Sequence, residues 1–92
     1  MENRLREEKM QKAVALRYEP EKNEAPVVIA RGRGLIAERI KEVARESGVP
    51  LKEDRELIEY LMSLDLYEEI PPQLYAVIAE ILAFIYSMDK KY

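Results

Sequence analysis

The strongest constraint in this sequence is the run at residues 74–88, LYAVIAEILAFIYSM, which carries a single charged residue, Glu80. Pro71 and Pro72 precede it, and proline suits the first turn of a helix, where its missing N–H costs least. The run reads as a helix, with Val77, Ile78, Ile81, Leu82 and Ile85 along one broad side and Tyr75, Ala79, Phe84 and Tyr86 elsewhere on its circumference. A helix apolar on most sides has to be buried on most sides. The rest of the chain must therefore wrap this helix, or leave part of it to a partner. With a glutamate in its middle, the run falls short of the roughly 20 residues that cross a bilayer. No other stretch reads as a signal peptide or a span. The expected setting is the cytoplasm, peripheral to a membrane complex, without direct membrane insertion.

The remaining residues amount to one small domain. Residues 1–12, MENRLREEKMQK, are almost wholly polar and read as a tail or frayed helix, which leaves residues 13–92 as the domain. In AVALRYEP, Val14, Leu16 and Tyr18 alternate with Ala15 and Arg17, the pattern of a strand with one buried face. A polar connection, EKNEAP, leads to the β-branched run VVIAR. After Gly32 and Gly34, residues Ile36, Ile40, Val43 and Ala44 recur at helical spacing, and Gly48 is placed to end that helix in a left-handed turn. Val49-Pro50-Leu51 reads as a short third strand. Asp54 can cap a second helix striped by Leu57, Ile58, Leu61 and Met62, and residues 67–70 read as a connection. The order β-β-α-β-α-α predicts an α/β fold: a small mixed sheet of three to four strands with three to four surrounding helices. Residues 27–51 would form a right-handed crossover between parallel strands.

The inventory of reactive groups is thin. There is no cysteine and no histidine, which removes thiolate chemistry, the commonest general base and the commonest metal ligand. Ser47, Ser63 and Ser87 have no histidine to activate them, and threonine is absent. Glu53-Asp54 and Glu68-Glu69 are neighbours in sequence, whereas an acid–base pair needs carboxylates converging across a cleft. No loop has the alternating oxygen ligands of a calcium site. No metal or cofactor is expected. Arg31-Gly32-Arg33-Gly34, between a strand and a helix, can hold an anion on helix-terminal amides, but it lacks the phosphate-loop and dinucleotide patterns. Steric need is the plainer reason for its two glycines. Residues 1–48 carry 11 Lys/Arg against 9 Asp/Glu and residues 49–92 carry 4 against 9, so the halves stand at +2 and −5 within a net charge of −3. An acidic chain of this kind is not expected to bind nucleic acid.

Two long stretches then carry a family resemblance. AVALRYEPEKNEAPVVIARGRGLIAERIKEVARESGVPLKED and IPPQLYAVIAEILAFIYSMDK resemble, in order, the segments that follow the cleavage site in the FlhB/YscU family of flagellar and type III secretion export proteins. The resemblance covers residues 13–90. It implies a cytoplasmic domain that takes part in switching export from early to late substrates and in docking those substrates at the export gate. Family members cleave themselves within Asn-Pro-Thr-His by cyclisation of the asparagine. That motif would fall at Glu8, Lys9, Met10 and Gln11, and no Asn-Pro occurs anywhere in this sequence, so self-cleavage is not expected. The family's membrane part and the strand before its cleavage loop have no counterpart in these residues. The chain thus resembles the post-cleavage fragment made directly by translation.

The resemblance further implies a hydrophobic substrate-docking patch at Ala25, Pro26, Ala79 and Leu82, and Ala79 and Leu82 are three apart and share a helix face. The expected function is non-enzymatic: binding export substrates or membrane export apparatus proteins. The alternatives are a domain that accepts a strand at an exposed sheet edge, from a full-length relative or a second copy of itself, and an anion-binding domain at residues 31–34.

Overall fold

The computed structural model describes residues 11–89, with side-chain surroundings through residue 83. Two antiparallel strands, β1 (Lys12–Arg17) and β2 (Val27–Arg33), lead into helix α1 (Leu35–Glu46), helix α2 (Arg55–Met62), a 3-10 turn (Pro72–Leu74) and helix α3 (Tyr75–Asp89). β1 begins at Lys12, whose Cα partner is Arg33; Ala13 faces Gly32 and Ala15 faces Ala30. The next pair is Leu16 with Val28, so Ile29 is an extra residue in β2, a β-bulge.

The two faces of this ribbon differ in side-chain size. Val14, Leu16 and Val28 turn towards a core of Ala25, Leu57, Leu61, Leu64, Ile70, Leu74 and Ile78. Ala13, Ala15, Ala30 and Gly32 form the other face, against which α1 packs through the fully buried Ala37. Small residues allow the helix to lie close. A Cβ added to Gly32 would stand 2.1 Å from Ile36 Cγ2, an impossible approach that explains the glycine there. The cost falls on α1's large residues: Leu35 and Ile36 are 71% and 61% exposed.

Residues 49–51 do not form the expected third strand, and no parallel crossover exists among the described residues. The reason lies at the end of α1. Gly48, at φ 71°, donates its N–H to the Arg45 carbonyl at 3.2 Å, and the Val49 N–H returns to Ala44 at 2.8 Å. These are the paired bonds of a Schellman ending. Val49 has thereby spent its donor and Pro50 has none, which leaves too little backbone for a ladder. Residues 67–70 serve instead. The Tyr67 N–H donates to the Val28 carbonyl (2.6 Å), Val28 to Glu68 (3.0 Å) and Ile70 to Pro26 (2.9 Å), with an antiparallel bridge between Val27 and Glu69. The described sheet is thus a two-stranded antiparallel ribbon with this one added rung, flanked by three helices, in place of a mixed sheet of three to four strands.

Asp54 caps α2 as its position suggests: its Oδ1 accepts from the Leu57 N–H at 2.9 Å. Through residue 83, α3 is covered on one side: Ile78, like Leu74 just before the helix, is buried, and Val77, Ile81 and Leu82 pack partly on the core, while Tyr75, Ala76, Ala79, Glu80 and Ala83 are exposed. Phe84, Ile85 and Tyr86 lie outside the residues whose side chains are described. No helix among the described residues is long and apolar enough to cross a membrane.

Replacing Gly32 with alanine should force β2 and α1 apart and cost about 1–3 kcal/mol. At about 4–8 °C of Tm per kcal/mol for a domain of this size, thermal melting reads the effect directly. An unchanged Tm would contradict the close packing.

Candidate functional site

A shallow cleft of about 130 Å³ opens where the start of β2 meets α3. One side is Ala25 and Pro26, the two residues before β2; the other, from α3, is Tyr75, Ile78, Ala79 and Leu82, with Ile70, Tyr18 and Glu24 completing the wall. The four α3 residues recur at i, i+3, i+4 and i+7, which places them on one face of the helix. The four residues named for the patch from sequence therefore lie together in space, although more than fifty positions separate Ala25 from Ala79.

Backbone bonding builds this arrangement. The Ile70 N–H donates to the Pro26 carbonyl, and Pro71 and Pro72 then launch α3 immediately beside Ala25. Ala25, Ile70 and Ile78, each 2% exposed, make a fixed floor. Ala79 is exposed and small, so it leaves the depression open, and half-buried Leu82 adds an apolar wall. Glu24 supplies the one group in the wall that is charged at neutral pH. The loop before it is held by Glu19, whose carboxylate pairs with Arg17 at 2.7 Å and Lys22 at 3.3 Å.

No group of three or more potential metal-ligating residues exists among the described residues. The adjacent carboxylates have local structural partners: Asp54 caps α2, Glu68 Oε1 accepts from the Asp65 N–H at 2.9 Å, and Glu69 Oε2 accepts from Asn23 at 3.3 Å. At residues 31–34, Arg31 Nη1 donates to the Met62 carbonyl at 2.8 Å and so caps the end of α2. The Gly34 N–H donates to the Gln11 carbonyl at 2.9 Å. The packing of Gly32 on Ile36 accounts for that glycine by sterics. Of the positions matching the cleavage motif, Glu8, Lys9 and Met10 lie outside the described residues. Gln11 is tied to Gly34 through its backbone, and its buried Oε1 has no hydrogen-bond partner among the described residues.

Sequence reasoning missed Tyr18, Glu24, Ile70, Tyr75 and Ile78 as members of the cleft. For Tyr75 and Ile78 the signal was present, since both stand one helical turn from a named residue. For Ile70 it was hidden in a segment that reads as a connection. A second depression, of about 150 Å³, lies between α2 and α3 at Leu57, Tyr60, Leu74 and Val77, with Asp54 and Glu56 on its border.

Comparison with known proteins adds an independent line. The model of the FlhB HrpN YscU SpaS family matches residues 10–85. An uncharacterized protein of Bacillus subtilis, YlqH, is 46% identical over 81 residues, which is 88% of this chain and 87% of that one. The flagellar biosynthetic protein FlhB of Aquifex aeolicus is 41% identical over 80 residues, and that of Escherichia coli 40% over 79. Those matches take in 86% and 85% of this chain but only 23% and 21% of the FlhB proteins. Among solved structures, the PscU C-terminal domain superposes with a TM-score of 0.75 at 25% identity, over 80% of this chain and 95% of that domain.

Because Ala79 is exposed, Ala79→Glu should leave stability within about 0.5 kcal/mol of the parent. Urea unfolding checks this, and a large loss would mean that the position is part of the packed core.

Proposed function

The chain belongs to the FlhB HrpN YscU SpaS family of flagellar and type III export components, and from that premise we propose that it acts in protein export by docking export substrates in the cleft between β2 and α3. The observation that supports this reading is the convergence of Ala25, Pro26, Ala79 and Leu82 on one apolar depression with a rigid floor. Burying an apolar side chain there gains about 25 cal/mol per Å² of surface removed from water, enough for a transient, reversible contact of the kind an export gate needs. Binding requires no bond-making chemistry, and the scarcity of nucleophiles and bases in the sequence is in keeping with a non-enzymatic role. The proposed place of action is beside the inner-membrane export apparatus.

Titration with flagellar hook-type export substrates, followed by fluorescence anisotropy, tests the reading. Ala79→Glu puts a charged chain where an apolar one should sit, and the expected loss is at least about tenfold, the equivalent of 1.4 kcal/mol. No binding by the parent protein, or equal binding by the variant, would remove substrate docking.

A second reading rests on the sheet order. β1 is terminal in the described sheet, with β2 on its one paired side. Such an edge can accept an extended strand, supplied by a full-length relative or by a second copy. Hydrogen exchange should then slow in β1 on mixing with the cytoplasmic part of such a relative. Unchanged exchange, together with a monomer at high concentration, would eliminate this reading.

A further inference from the structure

The docking reading leaves open what kind of segment fits the cleft, and one residue bears on that. We infer that Glu24 makes the cleft selective for a peptide in which a bulky apolar side chain lies next to a lysine or arginine. The inference rests on the docking reading and adds a specificity determinant to it.

Size sets the first half of the ligand. Apolar cavities of about 150 Å³ hold a molecule such as benzene, so a cleft of about 130 Å³ takes one large apolar side chain. Charge sets the second half. Glu24 is the only anion in a wall whose other residues are apolar apart from two tyrosines. The other carboxylates nearby are engaged: Glu19 with Arg17 and Lys22, Glu69 with Asn23, Glu68 with a backbone N–H. Glu24 makes no hydrogen bond or ion pair among the described residues. Glu21 shares that condition but does not line the cleft.

An apolar anchor seated in the cleft strips water from the carboxylate at its border. Partial desolvation of a charge is unfavourable unless something replaces the lost hydrogen bonds. A cation beside the anchor replaces them with a charge-assisted pair, and Tyr18 and Tyr75, which line the same wall, offer aromatic rings that attract a cation. A carboxylate beside the anchor would instead meet Glu24 and be repelled. The net charge of the chain, −3, biases encounter in the same direction.

The test uses three short peptides, identical but for the residue next to a single phenylalanine anchor: lysine, glutamine or glutamate. Affinities are measured on the full chain and on Glu24→Gln, Glu24→Lys and Ala79→Glu. The parent should prefer lysine to glutamine by about three- to fivefold, the range of a partly exposed ion pair, and should bind the glutamate peptide most weakly. Raising ionic strength should compress the ranking. Glu24→Gln should flatten it, and Glu24→Lys should invert it. Equal binding of the three peptides by parent and Glu24 variants, with Ala79→Glu still weakening all of them, overturns the role of Glu24 while leaving docking intact. Absence of binding, or indifference to Ala79→Glu, overturns docking and the inference together.

Discussion

The hydrogen bonds between residues 67–70 and the start of β2 hold the rest of this structure in place. The bonds from Tyr67 to Val28, from Val28 to Glu68 and from Ile70 to Pro26 tie a segment late in the chain to one near its beginning. They bury Val27, Val28 and Ile70 in one motion and fix the point from which Pro71 and Pro72 launch α3. Without them α3 would have no fixed relation to Ala25 and Pro26. Tyr67 sits at φ 68° to make the turn into this rung, an unusual conformation for a residue with a Cβ. The rung therefore persists against a local conformational cost.

Around that anchor the ribbon divides its labour by side-chain size. The face with Val14, Leu16 and Val28 meets the large apolar residues of α2 and α3. The alanine and glycine face accepts α1 at close range, with Gly32 giving way to Ile36. The bulge at Ile29 lets β2 present Val28 to one side and Ala30 to the other. Arg31 then reaches across to the end of α2, and Lys12 forms an ion pair with Glu59 on the same helix. Both contacts hold α2 against the sheet from its polar side, so Lys12 and Arg31 serve the fold.

Local signals made most of the elements legible. The Val14/Leu16/Tyr18 alternation, the run after Pro26, the glycine at position 48 and the cap at Asp54 each act within a few residues, and each has its place in the structure. The failures were non-local. Val49-Pro50-Leu51 has the composition of a strand, but the ending of α1 takes up its first donor. Residues 67–70 have the composition of a connection, yet they pair with β2 because that edge is free to receive them. The cleft was legible only through resemblance, since nothing local to Ala25 announces Ala79. Glu24 had no signal at all: its significance depends on what surrounds it and on where the neighbouring cations are engaged. The long apolar helix, which most constrained the reading, is covered on one side through residue 83, and the side left exposed there carries Tyr75 and Ala79 of the cleft.

The central claim is that the surface between β2 and α3 is where an export substrate meets this domain. Backbone amide shift mapping by NMR, with a hook-type substrate added to the labelled chain, tests it most directly. The expected result is a contiguous set of shifts at Glu24, Ala25, Ile70, Tyr75, Ala79 and Leu82. Shifts confined to β1 or to the exposed face of α1, or no shifts at all, would contradict the account.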